Sequence, residues 1–167
     1  MTRAILDSSV IIALSQLKHL QTLDKLFTEI IVPEAVYNEV CIKGNELTGS
    51  SELFDAIKLQ KIKVMRPENQ ELVKALLDPL GGGEAEAIAL ASSLIPDYLV
   101  MDDRLARRKA QNMGFNVIGT LRVLRLMYNK KLLSYENLIE SINALETMGF
   151  HISEKIIQEL IKSLDKQ

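Results

Sequence analysis

The chain has one cysteine, Cys41, two histidines, His19 and His151, only 5% aromatic residues and no tryptophan. A lone cysteine closes no internal disulfide, so a reducing compartment suits the chain. Cys41 reads as a small, half-buried hydrophobe, and each histidine as a surface or packing residue. Two isolated histidines and one cysteine do not make a zinc set. With so few aromatics, base stacking is not the main binding device. No apolar run approaches the roughly 20 residues a membrane span needs. The N-terminus, with Arg3 and Asp7, lacks the pattern of a signal peptide. These absences predict a cytoplasmic protein without membrane association. A Gly-Lys-Ser/Thr phosphate loop is also missing, and "GGGEAE" would put acids where phosphates need positive charge.

What is present is ordinary globular composition: 167 residues, 47% hydrophobic and 25% charged. That length suits one domain, 1–167, with a sizeable core. The net charge of −2 does not by itself argue for nucleic acid. Its distribution says more. From Arg104 to Lys131 stand eight basic residues and no acidic one. A basic segment on a mildly acidic chain suits phosphates, or simply solvated helix faces.

Short β-type runs alternate with helical ones. "RAILD", "EIIVP", "IKVM", "DYLVM" and "FNVIG" are brief and apolar. Continuous apolar strands separated by helices predict βαβ crossovers and a mostly parallel sheet of about five strands, with helices on both faces. Ser8 and Ser9 are placed to cap the helix "VIIALSQL". Pro33 stands at the first turn of "PEAVYNEVCIK". Gly81–Gly83 lead into "EAEAIALASSL", and Gly114 ends "RLARRKAQNM". The last segments, "YENLIESINALETM" and "SEKIIQELIKSL", carry helical apolar stripes. They predict a helical hairpin over about 134–165, with Ser153 as a cap. It either packs on the sheet or offers an apolar face to a partner or a second copy.

The acids are the unusual feature. Asp7 lies between apolar runs at the end of the first strand, where an unpartnered charge is costly. Asp102 and Asp103 close the fourth strand. Glu84 begins the helix before it, and Glu39 shares a helix face with Ala35 and Val36. Sites in open parallel sheets form outside the carboxyl ends of the strands, so these acids converge on one place. Each alone reads equally as a helix cap, a dipole partner or a surface acid. Glu46, Asp55, Glu68 and Glu146 sit in polar contexts and read as surface. An all-oxygen cluster suits hard cations such as Mg²⁺ or Mn²⁺. A haloacid-dehalogenase-type phosphatase needs an acid where Ser9 stands. A response-regulator receiver needs one near "IKVMRPEN", which offers none in place.

"ILDSSVIIAL", "VPEAVYNEV", "GGGEAEAIALA", "YLVMDDRLARRKA" and "GFNVIGTLRVL" together resemble the successive signatures of PIN domains. The likeness is nearest to a branch related to VapC-type toxins. It covers residues 3–130, a PIN-like core, and the helical tail also looks familial. It implies a three-layer fold and metal-dependent hydrolysis of RNA phosphodiester bonds. It also implies a small antitoxin partner and a homodimer. Residue by residue, it implies metal ligands at Asp7, Glu39, Glu84 and Asp103, with Asp102 the alternative at the fourth place. Ser9 matches a small polar residue that holds the first acid or a metal-bound water. Arg104, Arg107 and Arg108 follow the fourth acid, where they would meet flanking phosphates. Two positions depart from the pattern. Glu84 stands for the usual Asp, with Glu86 as a substitute, and Met101 stands for the usual Thr. A binding module that keeps the fold and acts by association is the alternative reading.

Overall fold

In a computed structural model, residues 1–44 and 47–165 are described. Glu46, read above as a surface acid, lies outside them; Asp55, Glu68 and Glu146 are exposed as expected. Five strands form one sheet: β1 (Arg3–Leu6), β2 (Glu29–Pro33), β3 (Lys63–Met65), β4 (Tyr98–Val100) and β5 (Val117–Ile118). All four pairings are parallel, in the order β3-β2-β1-β4-β5. The predicted strands are found at their predicted places, and the fold is the expected α/β one.

The strands are apolar throughout because both faces are covered. Alternate residues point opposite ways. Ala4, Leu6 and Val32 join one core; Ile5, Ile31 and Leu99 join the other. The first core is roofed by α1 (Ser8–Gln16), α3 (Ser50–Lys58), α7 (Thr120–Asn129), α8 (Tyr135–Thr147) and α9 (Glu154–Leu164). The second lies under α4 (Gln70–Leu76), α5 (Gly82–Leu94) and α6 (Arg104–Asn112). A short α2 (Glu34–Tyr37) follows β2. Met101, at the place where Thr is usual, is fully buried in the second core. Burial of each such side chain is worth about 1.5–3 kcal/mol.

Three local expectations change. Asp7, not Ser8 or Ser9, caps α1, because its carboxylate reaches the Val10 N–H. The helix after Pro33 does not continue as α-helix: it widens into a π-helical turn over Asn38–Ile42, which carries Glu39. Gly82 and Gly83 belong to α5 rather than preceding it. The last helices pack as a hairpin on the first core through Leu138, Ile142, Leu145, Leu160 and Leu164, and Ser153 caps α9. Ile156 alone of the stripe residues is exposed.

Candidate metal centre at the carboxyl edge of the sheet

The chain runs outward from β1 to β2 and β3, then crosses back to β4 on the other side of β1. The strand order therefore reverses between β1 and β4, which opens a crevice at their carboxyl ends. Asp7 ends β1, its backbone N–H donating to the Val100 carbonyl at 3.1 Å. Asp102 and Asp103 lie just past β4. Glu84 stands in the first turn of α5, and Glu39 on the π-helical turn beside it.

Each acid is anchored through a backbone N–H. Asp7 Oδ1 accepts from Val10 N at 3.1 Å and from the Ser9 hydroxyl at 3.0 Å. Glu39 Oε1 accepts from Gly83 N at 3.1 Å, Glu84 Oε2 from Gly81 N at 3.0 Å, and Asp103 Oδ1 from Ala106 N at 2.8 Å. Among the described residues the second oxygen of each of these four carboxylates has no hydrogen-bond donor. Asp102 differs. Both its oxygens are engaged by Thr120, one by the backbone N–H at 2.8 Å and one by the hydroxyl, which ties the end of β4 to the start of α7. Glu86 is also committed elsewhere: it accepts from Ala35 N at 2.8 Å and caps α2. Ser9 does hold the first acid, as the sequence suggested.

Close approach is bought with glycine. A Cβ on Gly83 would lie 3.0 Å from Val36 Cγ2 and 3.1 Å from Glu39 Oε2. A Cβ on Gly119 would lie 2.6 Å from Arg107 Nη1 and 2.7 Å from Asp102 Oδ1.

The electrostatics show how near the acids stand. Asp7 is 2% exposed, and its pKa is pushed up to about 7, chiefly by burial and further by the negative charges of Asp102 and Glu84. Glu84 is raised too, by burial first and then by Asp103 and Glu39. Glu84 thus lies within electrostatic reach of three of the other acids, Asp7, Glu39 and Asp103. Ser9, Glu84, Asp102 and Asp103 line an open cavity of about 500 Å³, together with the α8–α9 turn at Met148–His151.

The donor set suits a hard divalent cation: oxygen only, with a free oxygen on four carboxylates and no Lys or Arg lining the pocket. Among the described residues no three acidic, Cys or His side chains converge tightly enough to enclose an ion. Mg²⁺ does not require that, since it keeps several waters and takes one or two carboxylates.

Arg104, Arg107 and Arg108 line a neighbouring cavity rather than the pocket itself. Arg107 is partly committed, donating to the Met101 carbonyl at 3.0 Å. Arg122 lines the neighbouring cavity, and Phe150 and His151 line both; the sequence marks none of them as a site residue, and His151 reads there as a surface or packing residue. Arg122 was at least within the basic run; nothing local marks the α8–α9 turn, which only tertiary packing brings here. Cys41 is buried, and His19 meets the Ser141 hydroxyl at 2.9 Å, both packing roles.

No curated protein matches the chain. A PilT N-terminus domain protein from the archaeon Sulfolobus solfataricus has a similar backbone, with 18% identity, TM-score 0.49, and coverage of 92% of this chain and 99% of that one. A domain of a functionally unknown protein from Methanocaldococcus jannaschii is similar at 24% identity, TM-score 0.47, over 71% of this chain and 91% of that one. The family model described as DUF3368, PIN domain, matches residues 3–166, and by that match the chain belongs to the PIN domain family.

Proposed function

We propose that the chain is a Mg²⁺- or Mn²⁺-dependent endoribonuclease. PIN domains are generally hydrolytic nucleases that use divalent metals. The observation that carries the reading for this chain is the set of four carboxylates, each anchored through one oxygen with the other left free, around the crevice between β1 and β4. Asp7, Glu84 and Asp103 would hold the cation, directly or through water, and Glu39 would orient water or a second ion. Asp102, with both oxygens on Thr120, adds charge and fixes the start of α7. When bound, the cation lowers the pKa of a water and neutralises phosphate charge.

The residues of the chain do the positioning. Ser9 and Val10 N hold the Asp7 carboxylate in place. The Gly83 and Gly81 N–H groups do the same for Glu39 and Glu84. Without a cation these acids would repel a phosphate backbone. As a member of a VapC-like branch the protein would act as the toxin of a toxin–antitoxin pair, with a small antitoxin as partner and a homodimer as its assembly; the motif likeness supports this.

The test is cleavage of total RNA by wild type and by Asp7→Asn, in Mn²⁺ and in EDTA. Cleavage by wild type in Mn²⁺ alone supports the reading. A D7N protein with full Mn²⁺-dependent activity sinks the residue assignment. A folded wild type inert in Mg²⁺ and Mn²⁺ points to a module that acts by association.

A further inference from the structure

The two histidines of the chain have opposite surroundings. His19 is half-buried and meets the Ser141 hydroxyl at 2.9 Å. His151 is exposed, and among the described residues its ring makes no hydrogen bond and no ion pair. Its backbone is fixed all the same. α8 ends at Gly149, in the left-handed region with φ +94°. There the Gly149 N–H donates to the Glu146 carbonyl at 3.1 Å and the Phe150 N–H to the Leu145 carbonyl at 3.0 Å, which satisfies the last carbonyls of the helix. Phe150 and Ile152, on either side of His151, pack against the first core, and Ser153 caps α9. A free imidazole is thus carried between two anchored apolar residues.

That imidazole lines both the acidic pocket and the neighbouring cavity. The charged groups around the two are Glu84 from α5, Asp102 and Asp103 past β4, Arg104, Arg107 and Arg108 from α6, and Arg122 from α7. Hydrolysis of a ribose phosphate ester expels an alkoxide, which leaves faster when a placed group gives it a proton. The groups named do not supply one. Arginine keeps its proton at any working pH, Asp102 is held by Thr120, and Glu84 and Asp103 must be ionised to hold a cation. Among the described residues no lysine, tyrosine or cysteine lines either cavity. His151 is left as the side chain there that both carries a proton and releases it near neutral pH.

We propose that His151 is a catalytic residue, the general acid of the phosphodiester hydrolysis. A water oxygen bonds to phosphorus and its proton passes to solvent. The bond from phosphorus to the leaving ribose oxygen breaks, and that oxygen takes the proton of the His151 imidazolium. The neutral imidazole then regains a proton from solvent. This role rests on the nuclease reading and adds to it a proton donor supplied by the C-terminal hairpin.

The experiment compares the full-length wild type with His151→Gln in Mn²⁺, on RNA and on the 4-nitrophenyl ester of a nucleoside 5′-phosphate. The nitrophenolate of that ester departs without a proton. His151→Gln lowers kcat/KM for RNA about 100-fold near neutral pH and leaves hydrolysis of the ester unchanged. With RNA, the wild-type rate falls as pH rises and the imidazolium is lost; the variant lacks that fall. Titration calorimetry gives both proteins the same Mn²⁺ affinity, because the ring is not a ligand. Cleavage of RNA by H151Q equal to wild type, equal losses on RNA and ester, or an alkaline fall kept by the variant overturns the role. Where the ester is too small for wild type to turn over, the pH profile decides alone. In each of these cases Mn²⁺-dependent RNA cleavage by wild type leaves the nuclease reading intact. A folded wild type inert toward RNA overturns both.

Discussion

Asp7→Asn removes one charge from the most buried acid of the site. The carboxylate is 2% exposed, and its pKa is pushed from 3.8 up to about 7. The folded chain therefore holds a proton on Asp7 between those pH values that the unfolded chain releases. Stability from this group is full below about pH 4 and is lost as pH rises through 7. Each pKa unit is about 1.4 kcal/mol, so above pH 7 the ionised Asp7 costs the metal-free protein about 4 kcal/mol. Asparagine avoids that cost. It is the same size and an equally good helix cap, and its Oδ1 still accepts from Val10 N and Ser9. In EDTA at pH 8, D7N is expected to melt about 10 °C above wild type. The difference should shrink as pH falls and vanish near pH 4. Thermal unfolding followed by circular dichroism at pH 4, 6 and 8 reads this directly. Equal melting temperatures at pH 8, or a D7N advantage that does not depend on pH, would refute the reasoning. Confirmation would mean that the wild type keeps a stability cost only a cation or a proton relieves.

The remaining expectations are narrower. Glu84→Gln loses cleavage without lowering its melting temperature, whereas Glu86→Ala keeps cleavage and loses about 1 kcal/mol, because it removes the cap on α2. Gly119→Ala costs about 1–3 kcal/mol by crowding Asp102 and Arg107. Denaturant unfolding should show part of that loss recovered in the Gly119→Ala, Arg107→Ala double variant. Mn²⁺ affinity, measured by titration calorimetry, should fall from pH 8 to pH 6 with proton release on binding, since the cation competes with the proton on Asp7. Equal affinity at the two pH values would count against Asp7 as a ligand.

Much of this arrangement is legible in the chain before folding. "EIIVP" is a strand from its first residue to its last, because a strand buried on both faces leaves an uninterrupted apolar run. The acids at strand ends point to the crevice, because parallel sheets put sites there. The choices within the site are not legible. Asp102 and Asp103 are adjacent and chemically identical; only the position of Thr120 in space commits both oxygens of Asp102. Glu84 and Glu86 are two residues apart on one helix, so they face different neighbours, and the Ala35 N–H takes Glu86. The π-helical turn under Glu39 carries no sequence mark either. Packing against α5, with Gly83 admitting the carboxylate, accompanies it. The α8–α9 turn is the largest omission. Its place over the pocket depends on contacts far apart in sequence, which apolar periodicity does not encode.

The central claim is that these carboxylates hold a divalent cation. Its most direct test is Mn²⁺ titration calorimetry at pH 8 on wild type and on Asp7→Asn. The account predicts saturable binding by wild type and loss of that binding in D7N, with the variant still folded. Saturable binding of equal affinity in both proteins, or none in a folded wild type, would contradict it.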